Sequence, residues 1–153
     1  MFHRQRAIIA GIGTLAVLAA CGAGNRGFSR EPVSGATVVG EQGIGLSSVE
    51  SSVIARTNAA RSRSGLPPLA ADGQLMNGAR NHARWMAGSR SLTHGSGVAE
   101  NIGMGQTSAS EAVSSWMNSS GHRANILDGG HTRIGVAVAY SANGTPYWCQ
   151  QFR

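Results

Sequence analysis

The chain has no lysine, so all 13 of its basic residues are arginine. It has two cysteines, three tryptophans and only seven acidic residues, and charged residues make up 13% of its 153 positions. Two cysteines cannot build a disulfide framework, so the folded part must be held by its apolar core. No run of basic residues interleaves with aromatics: Arg56, Arg61, Arg63, Arg80, Arg84, Arg90, Arg123 and Arg133 are scattered, which argues against nucleic acid as a partner. The formal net charge of +6 suits an anionic surface or polymer, but scattered arginines read first as a solvated face. Where charge is this scarce, two histidines and a glutamate set among glycines stand out: His94 and Glu100 in Thr93–Ile102, and His122 in Trp116–Leu127. Such groups inside a small domain must pair with one another, a metal or a ligand.

The one long uncharged apolar stretch, Ala7 to Leu18, follows Arg4 and Arg6 and is too short to span a bilayer. Leu18-Ala19-Ala20-Cys21 ends it. The pattern is that of a signal peptide over 1–20, and its ending resembles the bacterial lipobox, which implies cleavage before Cys21 and lipidation of its sulfur. The expected location is therefore the cell envelope, lipid-anchored and extracytoplasmic. Gly22 in place of a retention aspartate directs the anchor to the outer membrane if the cell has two. Residues 21–46 are rich in Gly, Ser and Pro and read as a flexible tether with a reach of roughly 25–30 Å.

The domain is expected over 47–153. Ser47 and Glu50 form a capping box for a helix to about Ser64, stopped by Gly65 and Pro67-Pro68. Asp72 caps a second helix over 73–87, with Leu75, Ala79, His82 and Met86 on one face and Gly88 as its stop. Residues 89–106 read as loop. Ser108 and Glu111 open a short third helix through Trp116 and Met117, and His122–Leu127 reads as one further turn. Arg133–Tyr140 and Thr145–Phe152 alternate as strands around Ala142-Asn143-Gly144, where Asn-Gly favours the positive φ of a tight hairpin. This is an α+β order, with helices covering an antiparallel sheet.

Four segments in order, the Ala99-Glu100-Asn101-Ile102 box, Trp116 followed by Gly121–Leu127, the strand opening Arg133-Ile134-Gly135-Val136-Ala137, and the closing Tyr147–Phe152 strand, resemble the CAP superfamily. That superfamily includes cysteine-rich secretory proteins, plant pathogenesis-related proteins and venom allergens, and the resemblance covers about 48–153. It implies a three-layer α-β-α sandwich with a small central antiparallel sheet and an open cleft. It also implies a cleft tetrad of two His and two Glu, whose two His can hold a divalent metal such as Zn2+. By motif position His94 and His122 are the histidines, and so the metal ligands, and Glu100 is the first glutamate. Ser119 stands where the second would be, so the tetrad is incomplete.

Chemically, His94, His122 and Glu100 are one group short of a metallohydrolase. A catalytic zinc takes three protein ligands and commonly a separate base. Glu100 as ligand leaves no base, and Glu100 as base leaves two ligands. Equally, Glu100 could simply tie the loop to the turn. No catalytic residue is assigned. The resemblance favours a module that binds a lipid, an envelope polymer or a protein partner, with a metal-dependent hydrolase or peptidase as the alternative. Cys149, in a strand beside Trp148, reads as a buried small hydrophobe and not as a nucleophile. His82 reads as a packed helix residue, His131 as exposed, Arg123 as a partner for Asp128 or a rim residue, and Asn101 and Asn125 as braces for loop backbone. Trp116, Tyr147 and Trp148 are expected in the core.

Overall fold

The computed structural model describes Val38–Val39 and residues 43–153. The signal segment, Cys21 and most of the tether lie outside the described residues. In chain order the elements are β1 (Val38–Val39), β2 (Gly45–Leu46), α1 (Ser48–Arg63), β3 (Ala70–Ala71), α2 (Gly73–Ser89), β4 (Ala99–Met104), α3 (Ala109–Met117), α4 (Ser120–Ile126), β5 (Arg133–Tyr140) and β6 (Pro146–Phe152). The end of the expected tether belongs to the domain: β1 and β2 pair antiparallel, and Leu46 is buried in the core with Ile44 packed against it.

The capping signals work as their chemistry dictates. Ser47 Oγ accepts from the Glu50 amide and Glu50 Oε2 accepts from the Ser47 amide, closing the capping box of α1. Glu50 also takes two hydrogen bonds of 2.7 Å from the Arg80 guanidinium, so one carboxylate caps α1 and ties it to α2. Asp72 Oδ1 accepts from the amides of Gln74 and Leu75 to start α2. Gly88 does not stop that helix. It continues to Ser89 and ends at Arg90, whose φ of 53° is the left-handed conformation of a helix C-cap.

The main sheet has the order β3-β5-β6-β4. β6 runs antiparallel to both neighbours, with Ala137 opposite Cys149 and Cys149 opposite Ile102, while the short β3 lies parallel to β5. The sheet is thus mixed, not purely antiparallel. The β5–β6 hairpin turns through three residues. Ser141 and Thr145 close it, and only Gly144 takes a positive φ, of 81°. β4 corrects the loop expected over 89–106. Its polar residues Glu100 and Asn101 hide a strand that exists because β6 offers it a ladder.

Alternation along β6 sorts the two cores. Trp148 and Phe152 face the cluster built with α1, α3 and α4, while Tyr147 and Cys149 face the cluster under α2. This is the expected α-β-α sandwich, with all three expected aromatics, Trp116, Tyr147 and Trp148, at 3% exposure or less. α2 lies so close to β5 that a Cβ on Gly135 would collide with the Leu75 carbonyl group, and the Val136 amide points at Met76 Sδ, 3.2 Å away.

Arg61 departs most from a solvated-face reading. It is fully buried, and its guanidinium donates to the carbonyls of Pro67, Ile126, Asp128 and His131 at 2.8–3.2 Å. One side chain thereby ties α1 to the end of α4 and the segment that follows, satisfying among others the buried carbonyl of Ile126. His131 is also not exposed; its ring stacks on Phe152 at 5.3 Å. Arg123 is exposed, and Asp128 turns instead to the Gly130 amide and the His131 ring.

Two substitutions test these constraints. Arg61→Met leaves four carbonyls without their donor and should lower unfolding free energy by about 3 kcal/mol or more in urea titration. Gly135→Ala should cost about 3 kcal/mol, because backbone must move to admit the methyl group. Near-wild-type midpoints in both variants would mean the two close contacts carry no stability.

Candidate functional site

Glu100 sits on β4, the edge strand, at 5% exposure. Its Oε1 accepts from the Gly95 amide at 2.9 Å and from His94 Nδ1 at 3.2 Å. Its Oε2 accepts from Gln151 Nε2 at 3.1 Å and from the Cys149 thiol at 3.5 Å. His82 stands behind, its Nε2 donating to the Thr93 carbonyl at 2.9 Å and lying 3.6 Å from Glu100 Oε1. Burial alone would raise the pKa of this carboxyl. The Gly95 amide, the Gln151 amide, His82 and the thiol outweigh burial and hold the group below the usual carboxylate range. The anion is therefore fully engaged, and it fixes the 90–98 loop to the sheet.

The structure does bring the expected residues together. His94 and His122 face each other with ring centroids 6.5 Å apart, His94 half exposed and His122 partly buried. With Nδ1 engaged by Glu100 Oε1, His94 keeps Nε2 for a further partner. His122 opens from α4, and burial followed by its proximity to His94 lowers its pKa, which favours a neutral ring. Its position is set from behind: Asn101 Nδ2 donates to the His122 carbonyl at 3.0 Å and to Gln150 Oε1 at 3.1 Å. Asn125 Nδ2 donates to the Glu100 carbonyl and to Asn101 Oδ1. Gln150 in turn donates to Thr57 Oγ1 on α1. Asn101 and Asn125 are braces, as expected.

The donor set does not fit a catalytic zinc. Glu100 acts on His94 as an orienting partner, not as a ligand, and this leaves two imidazoles where such a site takes three protein ligands. Among the described residues no three His, Cys, Asp or Glu side chains gather as a metal group. Ser119, at the place of the missing acid, is the N-cap of α4 and makes no side-chain cap bond. Glu111 accepts from the Thr107 amide and hydroxyl instead of filling that place. The Cys149 thiol is buried against a carboxylate, and its pKa is pushed far up, so it is no nucleophile.

Expected as helix packing, His82 instead stands with His94 beside Glu100 Oε1. Its signal was the i, i+3 spacing to Trp85, whose ring stacks on His82 at 5.7 Å and is 52% exposed. Gln151 is the other residue at the site that the sequence does not point to. Its register opposite Glu100, invisible without the sheet, puts it there.

Comparison with known proteins gives a consistent set of matches. The model of the cysteine-rich secretory protein family (CAP) matches residues 54–152. The uncharacterized protein YkwD of Bacillus subtilis is 38% identical over 125 residues, 70% of this chain and 48% of that protein. The chain thus spans about half the length of this curated relative. An extracellular protein of Bacillus anthracis containing an SCP domain is 27% identical, with a TM-score of 0.58 over 68% of this chain and 40% of the other. An outer surface protein of Borrelia burgdorferi, at 17% identity, shares the fold with a TM-score of 0.60 over 65% of this chain and 87% of its own.

Replacing the hub tests its role. Glu100→Gln turns an amide N–H toward groups that themselves donate, and should cost about 3 kcal/mol of stability. Glu50 is lowered as well: burial opposes the shift, and Arg80 and the Ser47 amide win. Both groups therefore contribute stability that is present above the ordinary carboxylate value near 4.5 and lost as pH falls through their lower folded values. Melting temperature should drop steeply below about pH 4.5, and less steeply in Glu100→Gln. An identical acid slope in both proteins would contradict the assignment.

Proposed function

Because the chain belongs to the cysteine-rich secretory protein (CAP) family, we propose that it acts outside the cytoplasm as a binding domain, held at the cell envelope by lipid on Cys21. The observation that carries the binding reading is the engagement of Glu100. Each of its oxygens accepts from two protein donors, so the site offers a shaped, partly polar surface and no free carboxylate to act as base. His94 and His122 form the polar part of that surface. Trp85, fixed by its stack on His82, and Leu92 and Val98, exposed on the same loop as His94, give it apolar contact area. A lipid, an envelope polymer or a protein segment are the ligands this chemistry suits. The extracellular character stated for the Bacillus anthracis relative and the signal-like N-terminus both support the location. A peptidase reading would need a third ligand or a separate base beside the two histidines, and neither Ser119 nor Glu111 supplies one.

For the metal, we propose that His94 and His122 hold a divalent ion only loosely, through two imidazole nitrogens. Zinc calorimetry on the purified protein should show weak binding that disappears in His94→Ala and in His122→Ala, with no chelator effect on melting temperature. Tight binding that survives either change would overturn this reading. For the anchor, mass spectrometry of the membrane fraction should find a diacylglyceryl adduct on Cys21, and Cys21→Ser should release the protein into the soluble fraction. An unmodified, membrane-free parent protein would sink it.

A further inference from the structure

A second feature lies at the C-terminal end of α2. The helix terminus and the end of β5 with its turn leave between them a surface cavity of about 430 Å3. Gly88, Ala139 and Ala142 line it with little side chain, while Arg84, Arg90 and Tyr140 supply the long groups. No carboxylate lines it. Among the described residues neither arginine takes part in an ion pair. Arg84 spends one donor on Asn81 Oδ1 at 3.1 Å. The Tyr140 side chain is left open, the residue being 62% exposed.

Backbone conformation adds an independent observation. Arg90 is the only non-glycine residue with positive φ among those described. At a helix C-cap glycine adopts that conformation freely, whereas a side chain makes it costly. A residue kept there against that cost asks for a reason in its side chain. Favourable interaction of a cation with the helix C-terminus is one reason, but an arginine elsewhere in the last turn would supply it without the left-handed backbone. What the present placement gives is a second guanidinium on the same cavity as Arg84. Two planar guanidiniums with no acid between them match a phosphate group, which each can grip through paired N–H donors. An open aromatic beside small residues matches a ring.

We propose that this cavity binds a small organic phosphate, with the phosphate between Arg84 and Arg90 and the ring of the ligand against Tyr140. Sugar phosphates and aryl phosphates share this chemistry, and the choice of probes separates them. Calorimetric titrations of the whole protein at low salt would use glucose 6-phosphate, phenyl phosphate, inorganic phosphate and glucose. One or both ring phosphates should bind more tightly than inorganic phosphate, and the tighter of the two identifies the ring class. Glucose should not bind, and affinity should fall as salt rises. Arg90→Gly and Arg84→Gln should each weaken binding about tenfold or more, the loss of a charge-assisted contact. Arg90→Gly should melt at the same temperature as the parent or higher, because glycine relieves the left-handed backbone. Tyr140→Ala should erase the preference for ring phosphates. The proposal is overturned if none of the phosphates binds, if Arg90→Gly binds as well as the parent, or if inorganic phosphate matches the ring phosphates in the parent protein.

Discussion

Everything at the candidate site depends on a buried carboxylate. Glu100 is drawn from a strand, its donors from a loop (His94, Gly95) and from the neighbouring strand (Gln151, Cys149), and His82 of α2 stands within 3.6 Å. Burying an anion is costly unless its lone pairs are met. Here they are met four times over, and the group remains charged. The same engagement decides its chemistry. A carboxylate already surrounded by donors is a poor base and a poor ligand, but it is a firm anchor for the loop that carries His94.

A second polar layer on the opposite face of the sheet plays the matching part for His122. Thr57, Gln150, Asn101 and Asn125 form one chain of side-chain hydrogen bonds from α1 through the sheet to α4. Three of these residues are buried, with Asn125 partly so. Such a network tolerates little, since a half-satisfied member is worse than an apolar one. It also closes the sheet. Asn125 donates to the Glu100 carbonyl and the Trp116 indole to the Ile102 carbonyl, so the outer edge of β4 is occupied by side chains of α4 and α3. An edge covered this way does not recruit another strand.

The arginines divide by environment. Arg61 acts as a buried tie between backbone carbonyls, Arg80 as half of a partly buried ion pair with Glu50, and Arg84 and Arg90 remain exposed around a cavity. A lysine could not replace Arg61, because its single ammonium cannot reach carbonyls spread around a planar fork. This gives a structural reason for arginine at that position.

Local signals in the sequence determined much of this protein. Ser47–Glu50, Asp72 and Ser108 start α1, α2 and α3, as side-chain oxygens meeting orphan amides must. Alternation from Arg133 to Phe152 specifies the hairpin, and the four motif segments identify the family and so the sandwich. These are readable because each depends on residues within a turn or two of one another. The strand at Ala99–Met104, the burial of Arg61, the inclusion of Ile44 and Leu46 in the domain, and the places of His82 and Gln151 beside Glu100 were decided only by tertiary structure. Each joins residues distant in sequence, such as Arg61 with His131 and Glu100 with Gln151, through hydrogen bonds that exist once the sheet register is set. A charged or polar residue looks the same in sequence whether it faces water or a ring of buried partners. Only the fold supplies the partners, and with them the reason the charge is there.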